Sequence, residues 1–102
     1  IKKFDWRENT INHLFSKDHI KRGILNFGKN QEEIIANIEK IILDVNKLKD
    51  SFVPKSNEIH AIINGHKARI RVFLDSEGSV LNINILGVDK TDRILGKLIQ
   101  YN

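Results

Sequence analysis

Cysteine is absent from this chain, which excludes disulfides, thiolate metal sites and a cysteine nucleophile, so the fold must hold by packing in any redox compartment. Methionine is absent too, and the chain opens at Ile1. With no translation start present, the 102 residues read as a piece of a longer polypeptide. The single proline, Pro54, punctuates the middle of the chain. No apolar run approaches the roughly 20 residues of a membrane span, and no membrane partner is expected. There is no phosphate-binding P-loop, dinucleotide fingerprint or nucleophile elbow. The four histidines, His13, His19, His60 and His66, lack a tight metal-ligand spacing such as His-x-x-x-His,. A reaction without metal or cofactor is therefore expected.

What is present is ordinary for a folded protein: 40% hydrophobic and 29% charged residues, enough for one modest core and one domain over residues 1–102,. Lysine and arginine number 17 against 13 acidic residues, a formal net charge of +4. Such a balance favours an anionic partner, nucleic acid first.

Chemistry-bearing residues are densest between Asn9 and Ile24, where His13 and His19 lie beside Lys17, Lys21 and Arg22. Imidazole titrates near neutrality, so two of them among cations suit proton transfer next to an anion, and phosphodiester chemistry is the first expectation. A plain basic surface helix is the competing reading. On one continuous helix the two rings would stand roughly 120° apart. A break at Ser16, whose hydroxyl suits an N-cap, would let them converge, with His19 in the first turn of a new helix and His13 on the segment before it.

The rest of the chain divides around one strong helix. Ile1 to Arg7 reads as an arm anchored by Phe4 and Trp6, and Leu25 to Lys29 as a connector bounded by Gly23 and Gly28,. Asn30 followed by Glu33 resembles a capping box, and Ile34, Ile35, Ile38, Ile41, Ile42, Val45 and Leu48 recur at helical spacing, predicting a core helix from about Gln31 to Lys49,. Lys49 to Asn57 reads as a loop. Beyond it, Asn64-Gly65 predicts a type I′ hairpin that sets Ile63 against His66, His60 against Arg69 and Glu58 against Arg71. If Glu77-Gly78 closes the next hairpin in the same way, Leu74 faces Leu81, Val72 faces Ile83, Phe73 faces Asn82 and Arg71 faces Asn84. One sheet face is then apolar, carrying Ile59, Ala61, Ile63, Ala68, Ile70, Val72, Leu74, Leu81, Ile83 and Ile85. The other carries Glu58, His60, Arg69, Arg71, Phe73, Asn82 and Asn84, either a solvated face or an anion site. Leu86 to Tyr101 ends in a last strand or a short helix after a polar loop with Lys90, Thr91 and Arg93. The expected fold class is α+β, with N-terminal helices packed on one face of a small antiparallel β-meander sheet.

His13-Leu14-Phe15-Ser16 with His19, then Gly23-Ile24, Ile63-Asn64-Gly65, Ile70-Arg71-Val72-Phe73, Asn82-Ile83-Asn84 and Thr91-Asp92-Arg93 with Gly96 resemble the C-terminal toxin domains of bacterial polymorphic toxins. Contact-dependent inhibition systems or LXG-type secreted proteins deliver such domains. They are similar to ribonucleases of the barnase, EndoU and colicin type, in which helices pack on a small antiparallel sheet and RNA is cut without metal. The resemblance places the leading histidine on His13, the second on His19, the sheet arginine on Arg71, and the late hydroxyl and arginine on Thr91 and Arg93. Threonine stands at Thr91 where serine is expected, and Lys97 where asparagine is expected. It further implies secretion or cell-surface delivery as part of a larger protein, action in the cytoplasm of a target bacterium, and a cognate immunity protein, expected to be acidic.

The sequence thus leads to a metal-independent endoribonuclease toxin, with RNA, tRNA among the candidates, as substrate. His13 and His19 are the expected acid and base in either order, and Arg71, Arg93 and Thr91 the transition-state contacts. Lys17, Arg69, Asn82, Asn84, Lys90 and Lys97 are the expected substrate contacts. The alternatives are a basic nucleic-acid-binding module without catalysis and a deoxyribonuclease toxin.

Overall fold

Asn30 starts the longest helix. Its Oδ1 accepts the Glu33 backbone N–H at 2.9 Å, while the Glu33 carboxylate reaches back to accept the Lys29 N–H at 3.2 Å, a reciprocal cap that satisfies two of the unpaired donors of a helix start. In the computed structural model, which describes residues 4, 7–49, 52–53, 55–88 and 97–101, this helix, α3, spans Gln31–Lys49. It follows two short helices, α1 (Glu8–Leu14) and α2 (Lys17–Lys21), and a 3₁₀ turn, Ile24–Phe27. The strands are β1 (Lys55–Ile63), β2 (His66–Leu74), β3 (Val80–Ile85) and β4 (Lys97–Gln100). Helices precede the sheet, and the fold is α+β as the sequence predicts.

The sheet runs in the order β3-β2-β1-β4. Asn64 and Gly65 both hold positive φ, 52° and 78°, the requirement of a type I′ turn. The β1–β2 register is the predicted one, with Ile63 opposite His66, His60 opposite Arg69 and Glu58 opposite Arg71. Arg71 faces Asn84 and Phe73 faces Asn82 across β2–β3. Of the two alternatives for the C-terminal segment the chain adopts the strand. β4 lies parallel to β1, so the three-stranded antiparallel meander gains a fourth strand running in the same sense as its neighbour and the sheet is mixed.

Two details differ from the sequence reading. Glu77-Gly78 does not form a two-residue turn. The Gly78 N–H donates to the Asp75 carbonyl at 3.2 Å, Gly78 sits at φ 86°, and the Asp75 carboxylate accepts the Glu77 and Ser79 N–H groups at 2.9 Å each. This is a wider turn closed by a left-handed glycine. A bulge follows in β3, so that Val80 faces Leu74 and is buried while Leu81 is exposed. The second difference is that β1 begins at Lys55 rather than after a loop ending at Asn57. Asn57 is fully buried and brackets residue 53, its Oδ1 accepting the Val53 N–H at 2.9 Å and its Nδ2 donating to the Val53 carbonyl at 2.8 Å. A buried amide is tolerated there because both of its ends are satisfied.

Ile34, Ile38, Ile42 and Val45 of α3 pack with Ile59, Ile70, Val72, Ile83 and Ile85 in one core. The connector after α2 belongs to that core as well: Ile24 and Phe27 are buried within it. Phe4 packs against the core beside Val80, with which it forms a parallel bridge, and Trp6 lies outside the described residues. Arg71 and Asn84 are left on the face that α3 does not cover.

At Gly28 the chain passes close against the start of α3. A Cβ there would lie 2.9 Å from the Ile34 backbone nitrogen and 3.1 Å from the Glu33 carbonyl carbon. Backbone cannot retreat as a flexible side chain can, so Gly28→Ala should lose roughly 1–3 kcal/mol in chemical denaturation, the usual range for overpacking. Gly65→Asn is the matched control. No atom lies within 4 Å of that site, and asparagine tolerates the left-handed conformation, so it should stay within about 1 kcal/mol of the parent.

Candidate functional site

Ser16 interrupts the first helical stretch. Its Oγ accepts the His19 N–H at 3.4 Å and caps α2, leaving His13 in the last turn of α1 and His19 in the first turn of α2. The imidazoles converge as a helix break predicts, their centroids 5.0 Å apart and their planes at 72°. Their surroundings differ sharply. His19 is 2% exposed, and its Nδ1–H donates to the Leu14 carbonyl at 2.9 Å while Nε2 accepts the Ile85 N–H at 3.3 Å. Arg22 donates to the Ile85 carbonyl at 3.0 Å. Those are the Ile85 groups that β2 leaves unpaired, so α2 seals the outer edge of β3. Burial holds the His19 pKa below the ordinary imidazole value, and nearby His13 and Arg22 depress it further against the opposing pull of the Leu14 carbonyl and Asp18,. Both ring nitrogens are engaged by backbone, which fits a bracket rather than a proton-transfer group.

His13 is the exposed member of the pair. Its Nε2–H donates to Asn84 Oδ1 at 2.8 Å, which leaves Nδ1 open to solvent among the described residues. From Asn84 a row of side chains crosses the open sheet face: Asn84 on β3 faces Arg71 on β2, Arg71 faces Glu58 on β1, and Glu58 faces Leu98 on β4.

Glu58 anchors that row from beneath. It is wholly buried, its Oε2 accepting from Arg69 Nε at 2.8 Å and from His60 Nε2 at 2.7 Å, while Arg71 stands at 3.8 Å from Oε1. Burial by itself would raise its pKa, but the hydrogen bonds and charges of Arg69 and His60 outweigh that and hold the carboxyl below the ordinary value,. Two arginines face one carboxylate, so the cluster is net positive even with His60 neutral. Among the described residues Glu58 Oε1 and Arg71 Nε are buried and make no hydrogen bond. The Arg71 guanidinium meets Glu58 only at 3.8 Å on a side chain 21% exposed, so its outer end can still reach another ligand. Arg69 is largely committed, with its NH1 donating to the Gly87 carbonyl at 3.1 Å. A concavity of about 240 Å³ adjoins this end of the cluster, lined by His60, Ile62, Lys67, Arg69, Val88 and Gln100.

The structure therefore brings His13, Arg71 and Asn84 together and sets Asn82 on the same face beside Phe73. Lys17 is exposed at the start of α2. Lys97 opens β4 on the same side as Ile99, the helix-covered side, away from the cluster. Lys90, Thr91 and Arg93 lie outside the described residues. His66 is exposed beside the hairpin turn. Glu58 and His60 were not among the expected site residues, although the hairpin register had already placed them next to both arginines. Among the described residues no three His, Cys, Asp or Glu side chains gather as metal ligands.

Residues 7–85 match the family model of Bacterial toxin 35. The chain belongs to that family. The matched span runs from the start of α1 to the end of β3 and contains His13, Glu58, His60, Arg69, Arg71 and Asn84. No curated protein and no solved structure matches the chain. In this toxin domain no helix among the described residues is long and apolar enough to cross a membrane.

The two lowered pKa values make stability fall in acid. His19 is neutral when folded, so below the ordinary imidazole pKa of about 6.5 the unfolded chain binds the extra proton. Stability is then complete above that pH and declines as pH drops toward the depressed folded value. Thermal unfolding should show Tm decreasing from pH 7.5 to 5.5, and His19→Gln should lower Tm overall while flattening that slope. Glu58 adds a second loss below the ordinary carboxylate range. Glu58→Gln strands two arginines against a neutral amide and should cost about 3–5 kcal/mol in denaturant unfolding, as breaking a buried ion pair does.

Proposed function

We propose that this toxin domain is a metal-independent endoribonuclease, cutting RNA by attack of a 2′-hydroxyl on the adjacent phosphate to leave a 2′,3′-cyclic phosphate. The observation that carries the reading is the exposed His13 imidazole, fixed by Asn84 beside the under-bonded Arg71 on a net-positive open face. RNA brings its own nucleophile, so the protein need supply only proton transfer and fixed positive charge around the phosphate.

Arg71 takes the phosphate. His13 and His60 flank it, because Asn84 lies directly across from Arg71 and His60 is its diagonal neighbour on β1,. Glu58 accepts His60 Nε2–H, which fixes the tautomer and leaves Nδ1 as an acceptor near Gln100, at 3.4 Å. One imidazole removes the 2′-hydroxyl proton and the other protonates the departing 5′-oxygen. His19 holds α1 and β3 in place rather than transferring protons. Thr91, Arg93, Lys90 and Lys17 are retained as phosphate contacts, and tRNA as a candidate substrate. The same reading includes delivery within a larger protein by a contact-dependent or LXG-type system and an acidic immunity protein that covers this face in the producer.

Purified domain incubated with total RNA in EDTA, with the cut ends mapped, tests the proposal. Cyclic phosphate ends are expected, and intact RNA overturns it. His13→Ala and His60→Ala should each slow cleavage on the order of 10²- to 10⁴-fold. Arg71→Ala should raise the barrier by roughly 3 kcal/mol. Folded His19→Gln should keep the parent's pH–rate profile.

A further inference from the structure

Phe73 is the aromatic ring on the open sheet face that also carries Glu58, Arg71, Asn82 and Asn84. The Asn64-Gly65 register puts it on the open side, 39% exposed, where it gains no burial against α3. It stands two residues from Arg71 on β2, directly opposite Asn82 on β3, with the β3 bulge beginning at the next position. Bulges re-aim side chains near functional sites, and here the bulge ends regular pairing just past the Phe73–Asn82 pair. Asn82 is half-buried, and its amide has no hydrogen-bond partner among the described residues.

We propose that Phe73 is a stacking platform for one unpaired nucleobase of the RNA chain whose phosphate lies on Arg71, with the Asn82 amide reading that base's edge. The inference rests on the ribonuclease reading and deepens it, since it makes single-stranded RNA the substrate. Three properties of the face point to this occupant. Its net positive charge selects a polyanion. An exposed aromatic ring offers a surface that every base can stack on once it has left a duplex. Two strand residues on the same side are about 7 Å apart, which sets ring and guanidinium near enough to hold one nucleotide by its base and by its phosphate together. A base paired in a helix has its faces covered by its neighbours and cannot lie on the ring, so duplex RNA is a poor substrate. The amide of Asn82 carries both a donor and an acceptor and so discriminates between base edges.

The test uses a single-stranded RNA carrying 2-aminopurine, whose fluorescence is quenched on stacking, bound to His13→Ala protein so that it survives the measurement. Quenching is expected. It should be lost, with binding weakened roughly 5- to 150-fold, when Phe73→Ala is added, and kept with Phe73→Tyr. Leu43→Ala, an exposed apolar truncation on α3, should change nothing. With His13 restored, the parent should cut the single strand at least tenfold faster than the same strand annealed to its complement. Unchanged quenching in Phe73→Ala, or equal cutting of strand and duplex, by a parent that does cleave RNA overturns the stacking platform and leaves the ribonuclease reading intact. Quenching that requires Phe73 in a parent that cuts no RNA supports the platform and removes the ribonuclease.

Discussion

The open face of this domain depends on one buried anion. Glu58 lies at zero exposure within a chain of net positive charge, and an isolated carboxylate there would be neutralised rather than tolerated. Arg69 and His60 keep it ionised by direct hydrogen bonds, and Arg71 completes the field at longer range. The relation is mutual: the carboxylate permits three nitrogen-bearing side chains to crowd on one patch that their own repulsion would otherwise disperse. Both arginines and the histidine are held in place by strands, since Glu58 and His60 share β1 and the arginines share β2. The arrangement therefore exists only in one hairpin register. A slip of a single residue in either strand would turn that strand's two groups to the core side and part the carboxylate from its arginines.

A second dependency links the helices to that hairpin. α1 carries His13, but nothing in α1 itself sets the height of His13 above the sheet. The position is transmitted through Leu14, whose carbonyl His19 grips, and through Ile85, whose N–H the same imidazole accepts. One buried ring thus measures the distance between a helix end and the outer strand. Its lowered basicity follows from that placement.

What could be read from the residues was whatever local chemistry decides. Asn64-Gly65 demands positive φ at two successive positions, and that alone determines which residues of β1 and β2 share a face. The Ile stripe of α3 and its Asn30–Glu33 cap are equally local. The misread features involve competition between distant or alternative partners. Asp75 has a carboxylate that captures two amides beyond it, and this widens a turn that Glu77-Gly78 alone would make tight. The cost was a one-residue error that exchanged Val80 for Leu81 in the core. Asn57 looks like a loop residue until Val53 is placed beside it. The parallel pairing of β4 with β1 joins segments about forty positions apart, and no turn signal reports it. Within the site, histidine density points to His13 and His19 alike, yet only the packing of Ile85 distinguishes an exposed imidazole from a ring wedged between two backbones. Glu58 was visible in the register but read as one polar residue in a row, because burial on the solvent side of a sheet has no sequence signature.

The outer border of β3 has a further bearing on how this domain behaves in concentrated solution. An unpaired strand border is a template on which a second chain can extend the sheet. Here the Ile85 amide and carbonyl are occupied by His19 and Arg22, Val80 is bridged by Phe4, and a bulge at Leu81 disturbs the stretch between them. Among the described residues the opposite border is β4, whose four residues offer a short template. A mixed sheet with no cysteine to lock it is therefore guarded against fibrous growth by one side chain of a five-residue helix and one from its C-cap, and loosening α2 would offer the Ile85 amide and carbonyl to a second chain.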